Sequence, residues 1–286
     1  LPNAYLSWQL APQWFVGLGI SRPYAQAADY DSDWVGRYHA VRSDIRSLNI
    51  NPSLAWKISD RVSVGFGLNY QKLDLKFSNV NAANVLSTVH ADDHAWGWNA
   101  GALFTLSSAM RVGVAYRSGV DYRLDGDRRL NLDTPGTFTL SVWQRVSDRW
   151  EAMGDLSYTH WNRFDRLGLT PTETYNFQNS WRFAWGAAYK ASEAWKFKFG
   201  LAYERSPVRD SSRGARFSEG NRVWLSLGGQ WRPSAAATMD VGYAYIYHKD
   251  GRVSSVQDFG GGNTATLVGR YSNSGHVLGV QYSHGF

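Results

Sequence analysis

Apolar and polar residues alternate along most of the chain, in short runs separated by turns. At 62–70, Val62, Val64, Phe66, Leu68 and Tyr70 share one parity, and Ser63, Gly65, Gly67 and Asn69 the other. A strand points successive side chains to opposite faces, so this run is a strand with one apolar face. The same period returns at 4–10, 14–20, 48–58, 96–106, 112–116, 138–146, 150–158, 181–189, 195–203, 223–231, 239–247 and 276–286. No window longer than a turn favours a helical period. The chain is therefore read as all-β, one domain over residues 1–286, with about thirteen strands and no linker.

The connections alternate in length. Short ones fall at 12–13, 59–60, 107–109, 147–148, 192–193 and 232–237, and long ones at 21–36, 78–93, 125–136, 162–180, 206–221 and 248–264. Tight turns at one end and long polar loops at the other describe an up-and-down antiparallel β-barrel. Trp14, Trp56, Trp150, Trp195 and Trp231 adjoin the short turns, while Tyr70, Tyr116, Tyr158, Tyr189, Tyr203 and Tyr247 lie toward the long loops. Aromatic girdles at both edges of an apolar band mark a transmembrane barrel. Such a band is about 25 Å tall, and a strand tilted by about 40° crosses it with about ten residues, five of them facing lipid. Residues 62–70 carry five apolar side chains on one face. Turned inward, these faces would leave a barrel of about thirteen strands with more interior than side chains can fill. The small and polar face lines the lumen, and the bacterial outer membrane is the expected location. In HVLGVQYSHGF, Leu278, Val280, Tyr282 and Phe286 share the lipid parity, and the chain stops on an aromatic. The odd strand count, with a first span entering from the loop side, predicts one more strand before it and an N-terminal truncation.

Composition changes the picture only in part. Of 286 residues, 43% are hydrophobic and 19% charged, and the mean hydropathy of -0.40 by itself resembles a water-soluble chain. No run of eighteen apolar residues occurs, which excludes a spanning helix and leaves a barrel untouched. The absence of Cys excludes disulfides, thiolate metal sites and a cysteine nucleophile. A net charge of +6, with basic clusters at 128–129, 163–166 and 209–216 in long loops, points to lipopolysaccharide phosphates and outer-membrane lipid as partners, not nucleic acid. The seven His show no metal spacing and no GxSxG occurs; His276 and His284 share a strand without an assignable Ser. No catalytic residue, metal or cofactor is expected, and the chain is read as a monomeric channel and not an enzyme. The rival readings are a water-filled general porin and an outer-membrane lipid hydrolase.

One feature within the strands bears on the cargo. After Tyr70 the parity of 61–77 inverts: Lys72, Asp74 and Lys76 take the outward face, and Leu73, Leu75 and Phe77 turn inward. Residues 37–58 do the same, with Arg42, Asp44 and Arg46 outward and Val41 and Ile45 inward. The third long strand, 111–126, is predicted not to switch, leaving Val120, Tyr122 and Leu124 outward. Val41, Ile45, Leu73, Leu75 and Phe77 are candidates to line an apolar pocket above the membrane; the other reading is packing beneath an extracellular loop. Inward Lys57, Arg117, Asp155, Arg182, Lys190, Lys196, Lys198, Glu204 and Asp240 are read as a lumen network bracing the wall.

Several segments resemble the outer-membrane long-chain fatty-acid transporters and their toluene and xylene channel relatives. They are WVGRYHAVRSDIRSLNINPSLAWKISDRVSVGFGLNY from Trp34, WGWNAGALF from Trp96, RVGVAYRSGVDYRLDG from Arg111, LSYTHWNRF from Leu156, FGLAYERSPV from Phe199 and RVWLSLGGQW from Arg222. The resemblance implies a fourteen-stranded barrel plugged by an N-terminal hatch, binding long-chain fatty acids or other hydrophobic ligands and releasing them sideways into the membrane by passive transport. The hatch and the first strand have no counterpart here. By resemblance a cation for a fatty-acid carboxylate falls on Lys76, and a second on Gln178, a departure that weakens carboxylate binding and leaves neutral hydrocarbons open as an alternative cargo. The lateral gap falls beside 13–22, which makes Gly17 and Gly19 its candidates.

Overall fold

The computed structural model describes residues 2–127, 129–164 and 175–285; parts of the basic clusters at 128–129 and 163–166, and the terminal Phe286, lie outside them. The first half folds into β1 (Ala4–Ala11), β2 (Trp14–Ser21), β3 (Ala25–Asp29), β4 (Arg42–Lys57), β5 (Val62–Val80), β6 (Leu86–Ser107), β7 (Met110–Arg117), β8 (Asp121–Gly126) and β9 (Leu130–Asp133). The second half folds into β10 (Thr137–Arg145), β11 (Trp150–Thr159), β12 (Ser180–Lys190), β13 (Trp195–Glu204), β14 (Arg222–Trp231), β15 (Ala237–His248), β16 (Gly251–Asp258), β17 (Thr264–Tyr271) and β18 (Ser274–His284). One antiparallel path runs β1-β2-β4-β5-β6-β7-β10-β11-β12-β13-β14-β15-β18. Each of its thirteen strands coincides with one of the apolar alternations. Because directions alternate along an odd path, β1 and β18 run the same way; they do not pair with each other among the described residues.

Loops expected to be irregular carry further strands. β3, β9 and β16 lie within the connections 21–36, 125–136 and 248–264, and β17, the partner of β16, runs on from there to Tyr271. Between β5 and β6 only residues 81–85 remain as a turn, because the two strands pair up to Val80 and Leu86. There the Asn81 side chain accepts hydrogen bonds from the N–H groups of Ala83 and Val85 at 3.0 and 3.1 Å, and Asn84 takes the left-handed region at φ 59°.

Burial is inverted relative to a water-soluble protein. Outward Phe66 and Leu227 are 50% and 61% exposed, while inward Asn49, Asn69 and Gln71 are 1% exposed. A sheet that presents its apolar side chains outward and packs amides inside is built to be solvated by lipid. The girdles follow. At the turn end Trp14 stacks on Trp56 (5.5 Å between ring centres) and Trp195 on Trp231 (6.2 Å). At the loop end Tyr70 meets Trp96, Trp98 meets Tyr116 and Tyr158 meets Trp181. Tyr189 corrects the sequence reading: it stands opposite Trp150, 4.9 Å away, because β12 ends at a short turn.

Besides slips beside the short turns, at Gln9/Ala11 and Thr105/Ser107, the wall slips by one residue at two places toward the long loops. From Ser21 to Ala25 is four residues, against three on β4 from Asn49 to Arg46. From Arg117 to Gly126 is nine residues, against eight on β6 from Asn99 to Ala91. One extra residue inverts every side chain beyond it. This overturns the expectation for 111–126. The strand breaks at 118–120, and Val120, Tyr122 and Leu124 turn inward, 1%, 1% and 0% exposed. Pro23 sits in the first break, where no ladder N–H is needed. Gly119 sits in the second, where a Cβ would collide with the Thr134 carbonyl. The switch into an inward apolar face thus happens on all three long strands, by continuous alternation in β4 and β5 and by a slip between β7 and β8.

Two outcomes follow. Phe66→Arg is expected to destabilise the barrel by about 2–4 kcal/mol in bilayers, while Ser141→Arg, on the lumen face beside Asp155, leaves it within about 1 kcal/mol; urea titration in lipid vesicles reads both. Deleting Gly119 removes the extra residue, so a cysteine at position 124 becomes labelled by an aqueous maleimide in the deletion and stays protected in the parent; the parent's lack of Cys makes the readout clean.

Candidate ligand site

Above the apolar band the inward faces of β4, β5 and β6 meet in register. Ile45 lies opposite Leu75 and Leu75 opposite Ala91; Ser43, Phe77 and Val89 form the next row. Leu73, Leu75 and Phe77 are 1%, 0% and 1% exposed. Val120, Tyr122, Leu124, Leu130 and Leu132 join them from β8 and β9 and the residue before. Two loops close the cluster from above, one with Phe164, Tyr175 and Phe177 and the other with Val208 and Phe217. Phe164 stacks on Phe177 at 5.2 Å, and Phe217 stands edge-on to Tyr175 at 4.9 Å and to Phe177 at 5.4 Å, the offset and T-shaped geometry that ring quadrupoles favour. These loop rings could not be assigned from sequence, since a loop carries no period to read.

Of the pocket candidates, Ile45, Leu73, Leu75 and Phe77 come together here. Val41 is buried but stands outside the cluster, its N–H donating to the Ser78 carbonyl at 2.8 Å. Lys76 is exposed and faces outward: the β4–β5 and β5–β6 registers run unbroken through it, with Asp44 and His90 on either side, so no bulge re-aims it. The cation at the apolar cluster is Arg216, whose guanidinium lies over the Phe77 ring at 5.1 Å and donates to the Arg42 carbonyl (3.3 Å) and Ser43 Oγ (3.2 Å). Sequence placed it only in a basic loop. Gln178 is held by the loop that follows β13: its Nε2 donates to the Ser206 carbonyl at 3.0 Å and its Oε1 accepts from Arg205 at 2.6 Å. On the outer face, burial pushes the Asp44 carboxyl up, but hydrogen bonds from Arg46 and Arg42 outweigh it and hold the group below the usual carboxylate range.

An amide floor separates the cluster from the lumen. Tyr122 donates to Gln71 Oε1 at 3.3 Å, and burial holds this phenol protonated. Beneath it Asn51 and Asn69 both donate to Asn99 Oδ1, at 2.8 and 3.0 Å. Buried amides persist in this way when they satisfy one another.

Gly17 and Gly19 lie in unbroken ladder on both sides, opposite Ser7 and Ser53, and opposite Tyr5 and Asn51. The wall interrupts a little further on, at residues 22–24. Tyr24 ends the break: its N–H donates to Ser47 Oγ, its carbonyl accepts from Ser47, and its hydroxyl reaches across the lumen to the Pro135 carbonyl at 3.2 Å.

The lumen charges form pairs instead of one network. Lys196 donates to Glu151 at 3.0 Å, Lys198 and Gln230 donate to Asp240, Arg222 donates to Glu204 at 2.9 Å, and Ser141 donates to Asp155. Glu151, Gln230 and Arg222 complete pairs whose partners alone were read from sequence. Lys57 and Lys190 correct that reading; each bonds a carboxylate three residues away at a turn, Asp60 and Glu193. Arg182 lies over the Trp224 ring, and Arg117 makes no side-chain hydrogen bond or ion pair among the described residues. Both line a lumen cavity of about 1000 Å³.

Over 89% of its length the chain is 22% identical to the long-chain fatty acid transport protein of Escherichia coli K12, covering 72% of that protein. The solved structure of a Pseudomonas aeruginosa FadL homologue superposes with a TM-score of 0.89 at 21% identity, covering 99% of this chain and 78% of that one. The Pseudomonas putida toluene transporter TodX superposes at 0.69 with 14% identity, covering 100% and 82%. A family model described as outer membrane protein transport protein (OMPP1/FadL/TodX) matches residues 1–286. The lipid-facing barrel and its inward apolar cluster thus belong to a member of the OMPP1/FadL/TodX family, outer-membrane channels for hydrophobic compounds and not enzymes.

Proposed function

We propose that the protein carries long-chain fatty acids passively across the outer membrane, capturing them at the apolar cluster on the extracellular side and releasing them sideways through the wall. The observation that carries this reading is the cluster itself. Three consecutive strands turn apolar faces inward where no lipid can meet them, and a guanidinium lies on the ring at its edge. An apolar chain displaces the loop rings Phe164, Phe177 and Phe217 from Leu75 and Phe77, and Arg216 takes the carboxylate. The acid then leaves past the interrupted wall at 22–24, beside the Tyr24–Pro135 contact. Gly17 and Gly19 shape the paired wall next to that exit: a Cβ at Gly17 would press on Ser53 Oγ, and one at Gly19 would meet the Tyr5 ring at 3.3 Å.

One observation favours a second cargo, monoaromatic hydrocarbons. Gln178 stands where the family resemblance implies a cation, and the four loop rings offer faces and edges to a flat apolar molecule.

Titrating hexadecenoate and an uncharged monoaromatic into the detergent-solubilised protein separates these readings. Leu75→Ser and Phe77→Ser are each expected to weaken the preferred ligand by about 1.5–3 kcal/mol. Arg216→Ala weakens only the acid, and Lys76→Ala weakens neither ligand by more than about twofold. Parent-like binding of both ligands by the two Ser variants would reduce the cluster to loop packing. Tyr24→Ala, which removes the bridge to Pro135, is expected to speed hydrophobe release into vesicles; an unchanged rate removes that contact from the path.

A further inference from the structure

On the loop side the β16–β17 hairpin stands apart from the barrel. Among the described residues its two strands pair only with each other, from Gly251 opposite Tyr271 to Asp258 opposite Thr264. A two-stranded ribbon is barely stable alone, so its position depends on what it lies on. Buried Val253 and Leu267, with the Tyr271 ring, sit on Ala40, Ala215 and the stacked rings of Tyr30 and Trp34, 4.2 Å apart. Further along, Ser255 Oγ meets His39 Nδ1 at 3.4 Å, and Phe259 at the tip stands edge-on to Tyr38 at 5.9 Å. The seat is small. Among the described residues four buried side chains form it, two of them alanines, against fifteen in the ligand cluster. A segment that buries so little apolar surface opens before the rest of the fold does.

Residues 213–217 tie this seat to the ligand cluster. Arg213 is buried beneath the hairpin, where its Nη1 donates to the Arg252 carbonyl at 3.0 Å and to Asp210. The hairpin passes directly over the cation, and a Cβ at Gly251 would overlap the guanidinium. Two residues on, Ala215 packs in the seat, and its carbonyl accepts from the Tyr30 hydroxyl at 2.8 Å. The next two residues belong to the other core. Arg216 lies over the Phe77 ring, and Phe217 stands against Tyr175 and Phe177. One short stretch of chain thus carries the position of the hairpin to the cation and the ring that close the ligand cluster.

We propose that the β16–β17 hairpin is a lid on the ligand cluster and that Arg213 is its latch. Seated, it holds Arg216 down on Phe77 and Phe217 against Phe177. Lifted, it frees residues 213–217 and lets a ligand reach Leu75 and Phe77. The lid deepens the transport reading and rests on it for the ligand, while the latch is tested without one.

The chain has no Cys, so the full protein in a neutral detergent takes thiol probes cleanly. His39→Cys with Ser255→Cys, bridged by ethanediyl bismethanethiosulfonate, locks the hairpin in its seat and is expected to slow hexadecenoate association at least tenfold; dithiothreitol restores the rate. Ala215→Cys, made separately, places one buried thiol beneath the hairpin. Arg213→Ala in that background is expected to speed its labelling by an aqueous maleimide at least tenfold. Equal association rates before and after dithiothreitol overturn the lid, and labelling unchanged by Arg213→Ala overturns the latch. Should Arg213→Ala fail to give the heat-modifiable band of a folded barrel, Gly251→Ala, whose methyl group displaces the guanidinium, decides in its place. Parent-like hexadecenoate binding by both Leu75→Ser and Phe77→Ser fails the transport reading instead. Thiol labelling then decides the hairpin alone: faster labelling upholds the latch, and an unchanged rate overturns it.

Discussion

The constraint on which the rest depends is that no backbone N–H or C=O can be left unpaired in hydrocarbon. It forces the membrane part of the wall into continuous ladder, and from β10 to β15 the register runs without a slip. Freedom exists only where water, loops or neighbouring side chains can satisfy the backbone. The one-residue slips fall only at strand ends: two adjoin short turns, at Gln9/Ala11 and Thr105/Ser107, and two lie at the loop ends, beyond Ser21 and beyond Arg117. Irregular wall, inverted faces and the inward apolar cluster therefore occur together, for one reason.

The same constraint sorts the interior into two media. Above the floor, loops exclude water and rings pack to near-complete burial; below it, hydroxyls and paired charges line an open lumen. The amides Asn51, Asn69 and Asn99 and the Gln71–Tyr122 pair occupy the boundary, satisfied by one another. Ion pairs such as Lys196–Glu151, which links β13 to β11 across β12, are partly exposed, and each adds little stability.

Much of this was legible in the sequence wherever period carried the information. Two-residue alternation located all thirteen strands of the path, and the inversion after Tyr70 placed Leu73, Leu75 and Phe77 inward because β5 keeps one register over its length. The reading failed where period is interrupted. Val120, Tyr122 and Leu124 were set on the wrong face because one added residue near Gly119 is invisible to parity counting. Tyr189 was put at the wrong end because a tyrosine near a strand terminus says nothing of which terminus until the turn lengths are matched to it. Arg216 and the rings of Phe164, Tyr175, Phe177 and Phe217 could not be found, since their positions follow from how loops fold back over the cluster and not from any local pattern.

Pro23 gives the break at 22–24 a chemical character of its own. An aperture cut through an ordinary strand would confront a greasy molecule with a bare donor and a bare acceptor at every residue it passed. Here the imino acid has no hydrogen to offer, and at the next residue Ser47 clasps both the amide and the carbonyl of Tyr24. The threshold is thereby stripped of much of its polarity in advance. On the proposed exit route, what crosses it meets a pyrrolidine ring and a phenol face beside the exposed Arg22, surfaces with which the tail of an amphiphile mixes readily.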